Sequence, residues 1–219
     1  YIPKKGRRGM DGLLELIPKV KRLWENDRER LIERGNSIIE SVKNEISNRS
    51  REIDRSILDD AFNYLSNSFD EKNGGFGVSP KFPTPHNLLF LLRYGKIEDD
   101  RWAIRMVNKT LDKMRKGGIY DHLGYGFHRY STDSKWILPH FEKMLYDQAM
   151  LITAYTDAYQ VSKDDSFLST INEVIAYVNR NLMSREGGFY SSEDAEAGEK
   201  EGGYYTWTER EIQDILGDD

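Results

Sequence analysis

The sequence lacks cysteine altogether: none of its 219 residues carries a thiol. Disulfide bonds, thiolate metal ligands and thiol nucleophiles are therefore excluded within these residues, so any nucleophile must be an oxygen or a nitrogen. Long apolar runs are also missing. No stretch approaches the ~18 to 20 apolar residues of a membrane-spanning helix, and no signal-peptide core is present. We therefore expect a soluble, cytoplasmic protein with no membrane partner.

The sequence also lacks an excess of basic charge. Its 32 lysines and arginines against 37 acidic residues give a net charge of −5 at pH 7, and no basic face indicates a nucleic-acid partner. A short basic cluster at Lys4, Lys5, Arg7 and Arg8 is interpreted as a solvated tail. Apolar residues make up 38% of the chain and aromatic residues 12%, which is enough for a substantial core and excludes a disordered chain.

The first 48 residues show two helical patterns. Apolar residues recur at helical spacing from Leu13 to Trp24, which predicts an amphipathic helix with a kink at Pro18. A second pattern of this kind continues to about Asn48. We interpret 1–48 as a helical arm and 49–219 as a separate domain.

Beyond the arm, a unit of helix, Gly-Gly-aromatic turn, long loop and helix occurs three times. The glycine pairs begin at Gly74, Gly117 and Gly187. A single pair is typical of a helix C-terminus that needs a positive φ, whereas three pairs in matching positions indicate a repeated architecture with its variable loops on one face. The predicted helices lie at about 53–68, 86–94, 99–115, 139–160 and 165–183, and just after Thr208.

Helical hairpins in series predict an all-α fold. We expect a partial α/α toroid of about three hairpins, preceded by a helical linker arm. A closed toroid of six hairpins needs about twice as many residues. Residues 49–219 would therefore form the N-terminal half of such a ring, and the downstream half would be its partner.

The segment 117–148 concentrates the residues suited to chemistry. Three of the four histidines, His122, His128 and His140, lie within it. Several glycines break any helical pattern in its first part and give the backbone freedom to approach a ligand. The segment is therefore interpreted as a functional loop followed by the start of a helix.

Pro139 suits the first position of that helix, where its missing N–H costs no hydrogen bond. A helix from Pro139 to about Gln160 would place His140, Lys143 and Asp147 in one stripe. Apolar residues cover most of the remaining girth. We therefore expect a buried inner helix whose charged first turns face a cavity.

Three motifs in this half of the chain carry a resemblance: GGIYDHLGYGFHRYSTDSKWILPHFEKMLYDQA at 117–149, GGFYSSEDAE at 187–196 and EGGYYTWTEREI at 201–212. Together with PKKGRRGMDGLLELIPKVKRLWENDRE at 3–29, they closely resemble the thioredoxin-domain-containing family that includes spermatogenesis-associated protein 20. The resemblance implies a thioredoxin-like domain upstream, with 1–48 as its C-terminal remnant. It also implies an α/α toroid like those of six-hairpin glycosidases and N-acylglucosamine 2-epimerases, and it leaves the reaction open.

An α/α toroid with an acidic and aromatic mouth suits a sugar or glycan ligand. Epimerisation or isomerisation of a sugar needs an acid and a base beside a carbon next to a carbonyl, and histidine is poised for this near neutral pH. We predict His128 and His140 as the acid-base residues, with Lys143 and Asp147 as catalytic neighbours. The alternative for each histidine is a hydrogen-bonded structural role.

Further residues are predicted to bind the substrate. Aromatic faces would come from Tyr120, Tyr125, Phe127, Tyr130 and Trp136, with packing of the loop against itself as the alternative. Polar contacts would come from Asp121, His122, Arg129, Glu142, Glu193 and Asp194. No cofactor is expected, and a metal site at Asp121, His122 and His128 is disfavoured because their spacing matches no zinc pattern.

Two other functions remain open at this point. Glycoside hydrolysis would need two carboxylates about 5 to 9.5 Å apart, and the candidates are Asp121, Glu142, Asp147, Glu193 and Asp194. A non-catalytic glycan- or protein-binding module, acting beside the thioredoxin-like domain, would need the aromatic rings without a poised acid-base pair.

Overall fold

The computed structural model describes residues 2–6, 9–47, 54–198 and 200–217. The chain divides into two compact units, 1–54 and 55–219. The predicted boundary between positions 48 and 49 and the predicted tail residues Arg7 and Arg8 lie outside the described residues. No helix in the described ranges is long and apolar enough to cross a membrane.

The first unit contains helix α1 (Leu13–Asn26) and helix α2 (Arg28–Ser47). The Glu15 carboxylate accepts a hydrogen bond from the backbone N–H of Gly12, which caps the start of α1. Both predicted helices are confirmed. Their origin as the remnant of a thioredoxin-like domain stays a prediction.

The second unit is built from helices that pack as consecutive hairpins. They are α3 (Ser56–Ser68), α4 (Pro85–Ile97), α5 (Arg101–Lys116), α6 (Leu145–Ser162), α7 (Asp165–Tyr177) and α8 (Glu209–Leu216). Helices α4 and α6 carry the centre of the core, where Leu88, Leu91 and Leu151 are fully buried. Helix α5 buries one face against them, as an amphipathic outer helix does. The predicted all-α fold of helical hairpins is confirmed.

Short strands join the helical hairpins. They are β1 (Tyr130–Ser131), β2 (Pro139–His140), β3 (Lys143–Met144), β4 (Ser192–Glu193), β5 (Glu196–Ala197) and β6 (Lys200–Glu201). Three antiparallel ribbons result, which pair β1 with β2, β3 with β4, and β5 with β6.

The prediction that a helix begins at Pro139 is wrong, because α6 begins at Leu145. Residues 139–144 lie in β2 and β3 and the two positions between them. Their backbone pairs with residues outside the segment: Pro139 with Ser131 in β1, and Lys143 with Glu193, far along the chain. Such distant pairing satisfies the backbone as fully as a helix would, and local periodicity does not reveal it.

The glycine pairs do not all play the predicted role. Gly74 has a positive φ of 71° and Gly187 one of 84°, as expected for these turns. Gly117 has a φ of −86°. Close approach of the chain explains this pair instead, because a Cβ on Gly117 would lie 2.4 Å from the carbonyl oxygen of Trp136, and one on Gly118 would lie 2.1 Å from that of Ile137.

Candidate functional site

A turn that occurs twice in the second unit holds a buried lysine against an aspartate. The Lys81 Nζ donates to Asp70 Oδ2 at 2.8 Å and to the Gly74 carbonyl at 2.9 Å. The Lys143 Nζ donates to Asp121 Oδ2 at 2.7 Å and to the Tyr125 carbonyl at 2.8 Å. Both lysine side chains are almost completely buried.

The backbone of the two turns matches as well. An isolated bridge joins Phe69 to Phe76 in one turn and Tyr120 to Phe127 in the other. The structural counterpart of Gly74 is therefore Tyr125, which has a φ of 66°, and the prediction that Gly117 marks the second repeat is wrong. The same ion pair is formed by Lys81 outside the predicted site. The ion pair of Lys143 therefore belongs to the structure of the turn.

The surroundings of Lys143 differ from those of Lys81 in one respect. Lys81 donates a third hydrogen bond to the Ser134 carbonyl and lies 5.4 Å from the ring centre of Trp136. The Lys143 ammonium instead lies between two rings, 4.6 Å from the centre of Tyr177 and 4.9 Å from that of Tyr205. Burial lowers the pKa of Lys143, against the opposing effect of Asp121. Aromatic faces stabilise a cation at such distances.

His128 lies on the same side of the chain as Lys143. It is 2% exposed, and its Nδ1 lies 3.1 Å from the Phe141 carbonyl oxygen, to which the Nδ1–H donates. The rings of Phe141 and Tyr205 contact it edge-on. Burial, with the nearby charge of Lys143, lowers the pKa of His128 to about 4. A neutral, enclosed imidazole of this kind favours the structural role over the acid-base role.

We expect His128 to make folding sensitive to mild acid. Its folded pKa of about 4 lies below the ordinary value of 6.5, so the unfolded chain binds more protons between these values and stability is lost as pH falls. Relative to His128→Asn, the wild type should lose up to about 3 kcal/mol between pH 7 and pH 4. Urea unfolding at several pH values measures this difference. The exposed His86→Asn is the matched control for substitution of a histidine, and a pH-independent difference between the wild type and His128→Asn would contradict the burial.

His140 occupies the opposite side of the strand segment. Its Nδ1 lies 2.5 Å from Glu201 Oε1, and its Nε2 lies 3.8 Å from Glu142 Oε2. Because a carboxylate only accepts, the Nδ1 atom carries the proton. The Tyr130 ring stacks on the imidazole with a centroid distance of 5.0 Å. The imidazole is 26% exposed and therefore open to a ligand.

Arg129 and Asp147 both interact with Glu142. The Arg129 guanidinium donates to Glu142 Oε2 at 2.6 Å. Asp147 is 7% exposed, and its Oδ2 is buried without a hydrogen-bond partner. Burial raises the pKa of Asp147 to about 6, with a further contribution from Glu142 against the opposing charge of Arg129. Glu142 lies beside His140, and Asp147 interacts electrostatically with Glu142 and Arg129.

Asp147→Asn is expected to stabilise the protein increasingly as pH rises. The folded pKa of about 6 lies above the ordinary 3.8, so the folded state binds more protons between these values and wild-type stability falls as pH rises through them. Allowing for partial solvent screening, the variant should gain about 1–2 kcal/mol over the wild type between pH 4 and pH 8. Urea unfolding at both pH values checks this. An unchanged difference would show that the carboxyl group is not desolvated.

Side chains alternate between the two faces of a strand, which explains why His140 and Lys143 do not share the predicted stripe. Successive side chains of extended backbone point to opposite faces, so His140 and Glu142 share one face while Phe141 and Lys143 share the other. Asp147, in the first turn of α6, interacts electrostatically with Glu142. His140 and Lys143, which a helix would bring together, therefore lie in separate environments.

Several predicted substrate-binding residues have other roles. Trp136 is fully buried and donates its indole N–H to the Asn73 carbonyl. The rings of Tyr120 and Phe127 are also buried. The prediction that these three rings face a sugar is wrong, because they form the core beneath the loop.

The predicted polar contacts also divide. His122 is exposed, and its ring nitrogens lie near Arg115 and the Gly117 carbonyl. Glu193 accepts hydrogen bonds from Tyr177 and Asn181, which occupy both of its oxygens. Asp194 is exposed and caps the backbone N–H of Glu196. These three residues are not brought to His140, since their hydrogen-bond partners all lie elsewhere.

Sequence reasoning missed two residues that complete the surroundings. Glu201 reaches His140 from a position 61 residues later in the chain, and no local pattern indicates this. Tyr205 packs against His128 and parallel to Phe141, and the aromatic motif at 204–207 was the available signal. Within the described ranges, no three His, Asp or Glu side chains are grouped so as to hold a metal ion.

Comparison with known proteins places this site in context. No family model matches the chain. Human spermatogenesis-associated protein 20 is 40% identical over 231 residues, which cover 99% of this chain and 29% of that protein. Nearly the whole of this chain is therefore similar to a part of spermatogenesis-associated protein 20. The mouse protein of that name matches equally, and an uncharacterized protein of Caenorhabditis elegans is 37% identical over 235 residues, 32% of its length.

The chain thus spans about a third or less of the curated relatives it matches. Among solved structures, a cellobiose 2-epimerase from Bacillus thermoamylovorans has a TM-score of 0.54 and 16% identity, covering 64% of this chain and 42% of that one. A sugar epimerase from a ruminal bacterium has a TM-score of 0.55 and 16% identity, covering 61% and 37%. An unsaturated glucuronyl hydrolase specific for heparin has a TM-score of 0.53 and 18% identity, covering 63% and 42%. These likenesses show the fold, which is part of an α/α toroid.

Proposed function

We propose that the chain carries part of the active site of a carbohydrate-converting toroid, with His140 as the base that moves a proton beside a sugar carbonyl. The observation that carries the proposal is the partly exposed imidazole held by Glu201 at 2.5 Å. A carboxylate that accepts from Nδ1 fixes the tautomer and leaves Nε2 as the basic nitrogen. The reaction class is epimerisation or isomerisation of an aldose.

The neighbours of His140 suit this role. Tyr130 holds the plane of the imidazole by stacking, and Glu201 stabilises the imidazolium that forms when Nε2 takes a proton. Asp147 interacts with Glu142 and Arg129 and has a raised pKa of about 6, and a carboxyl group of that acidity can return a proton near neutral pH. In this proposal Nε2 removes the proton from the carbon next to the carbonyl, and the sugar passes through an enediolate before reprotonation.

The hydrolase alternative is less well supported. Glu142 and Glu201 are the carboxylates beside His140, but Glu142 is paired with Arg129 and Glu201 with His140 itself. A glycosidase needs one carboxyl group as a proton donor and the other free to attack or to activate water. The non-catalytic module, the upstream thioredoxin-like partner and the cytoplasmic location stay predictions.

Deuterium incorporation tests the proposal. The complete protein is incubated in D₂O with a panel of neutral aldoses and disaccharides, including glucose, mannose and cellobiose, and NMR follows the hydrogen at carbon 2. An epimerase or isomerase exchanges this hydrogen for deuterium, because its base removes it and solvent protons return. A hydrolase would release a free reducing end without exchange. Absence of both reactions across the panel would favour the binding module.

A further inference from the structure

We propose that a cleft on the Lys143 side of the second unit is a separate ligand site that binds a neutral pyranose ring. The cleft lies between the turn at 121–124 and the segment 203–211, and its volume is about 580 Å³. Small-molecule sites fall in this range and combine aromatic surface with a few polar groups. The inference goes beyond the proposed function, because it needs no chemistry at His140.

Contacts with neighbouring side chains fix the aromatic wall of the cleft. Tyr205 lines the cleft, and its ring stacks parallel to Phe141 at 5.6 Å and contacts His128 edge-on at 4.8 Å. The Lys143 ammonium lies 4.9 Å from the same ring. A wall fixed by three independent contacts loses little freedom when a ligand binds, and such preorganisation favours affinity.

The Asp121 side of the cleft is fixed as well. Asp121 Oδ1 accepts from the backbone N–H groups of Leu123 and Gly124, while Oδ2 accepts from Lys143. Hydrogen bonds from Lys143 and Gly124 lower the pKa of Asp121, although burial acts the other way. The carboxylate is therefore charged and compensated, so it contributes an acceptor without attracting a cation.

The open rim supplies stacking surface. Trp207 is 56% exposed and Tyr204 is also exposed, and both line the cleft. Exposed aromatic rings that border a cavity provide flat apolar faces, which match the C–H faces of a pyranose. At the far side, Glu211 Oε2 accepts the N–H and O–H of Thr208, which leaves Oε1 to accept a sugar hydroxyl.

Charge sets the class of ligand. The exposed carboxylate of Glu211 lines the cleft and would repel an anion. The Asp121 charge is already balanced by Lys143, so one exposed carboxylate remains. This combination of rings and hydroxyl acceptors favours a neutral sugar over a phosphate or an acidic sugar.

Isothermal titration calorimetry of the complete protein with glucose, mannose and cellobiose tests the site. Trp207→Ala is expected to weaken binding of the best of these probes at least tenfold. Trp24→Ala, which removes a 46% exposed indole in the first unit, should leave affinity unchanged. Tyr204→Ala should weaken binding by a smaller factor, and binding should persist in His140→Ala.

Three results would overturn the cleft as a sugar site: no binding by any probe, equal loss in Trp207→Ala and Trp24→Ala, or binding of tetramethylammonium in place of sugars. The outcome is separable from the proposed function. Trp207-dependent binding without deuterium exchange would defeat the epimerase proposal and support the cleft. Deuterium exchange whose rate, together with the sugar affinity, is unchanged in Trp207→Ala would defeat the cleft and support the epimerase proposal.

Discussion

Lys143→Met is expected to destabilise the fold by about 3–5 kcal/mol, because it leaves the Asp121 carboxylate buried without its partner. Lys81→Met should have an effect of similar size at Asp70. The two ion pairs have matching geometry, with Nζ to Oδ2 distances of 2.7 and 2.8 Å. Urea unfolding followed by circular dichroism measures both variants. Similar losses would show that Lys143 acts in the architecture of the turn.

The control is Lys116→Met, which breaks an exposed ion pair with Asp112 and should change stability by less than about 1 kcal/mol. Asp121→Asn combined with Lys143→Met should recover part of the lost stability, since the unpaired charge is then absent. If Lys143→Met stays within about 1 kcal/mol of the wild type while Lys81→Met does not, the equivalence of the two turns is refuted.

His140→Ala is expected to lower the rate of deuterium exchange into a responsive sugar by about 10²–10⁴-fold, which is the usual contribution of a positioned acid-base group. Sugar affinity should stay within a few-fold of the wild type, because the remaining contacts are unchanged. Glu201→Gln should give a smaller loss, since it removes the carboxylate that accepts from Nδ1 and keeps the imidazole. NMR rates in D₂O and calorimetric affinities separate the two effects.

The matched control is His86→Ala, which removes an exposed histidine on α4 and should leave the exchange rate unchanged. Retention of exchange by His140→Ala would remove this residue from the reaction. An equal loss in affinity and rate would instead indicate that His140 binds the sugar without taking its proton.

Much of the fold could be predicted from periodicity, because buried helices such as α4 and α6 are long and strongly apolar. The start of α6 could not. Residues 139–144 are held extended by β1 and β4, and strand pairing depends on residues that lie far away in sequence. The Asp-Lys turn could have been predicted from a repeated pattern. An aromatic-Asp pair at 69–70 and again at 120–121 is followed by Gly-Phe, whose glycine lies six residues after the aromatic residue in both cases.

The roles of the predicted site residues stay predictions. The structure brings Glu142 to His140, and Asp147 interacts with Glu142, through a strand and a helix turn rather than one helix. Lys143 falls on the opposite face because extended backbone alternates with a period of two. The partner of His140 was out of reach, since Glu201 is carried by the β5–β6 ribbon and local sequence gives no indication of its register.

The proposed role of His140 requires that Glu201 accept the Nδ1 proton and that Nε2 be the basic nitrogen. Nitrogen-15 NMR of the imidazole in the complete protein tests it most directly, with the His140 signal assigned from His140→Gln. We expect a hydrogen-bonded Nδ1–H whose resonance is lost or shifted strongly in Glu201→Gln and is unaffected by Lys143→Met in the folded protein. A His140 signal with both tautomers populated, unchanged in Glu201→Gln, would contradict the account.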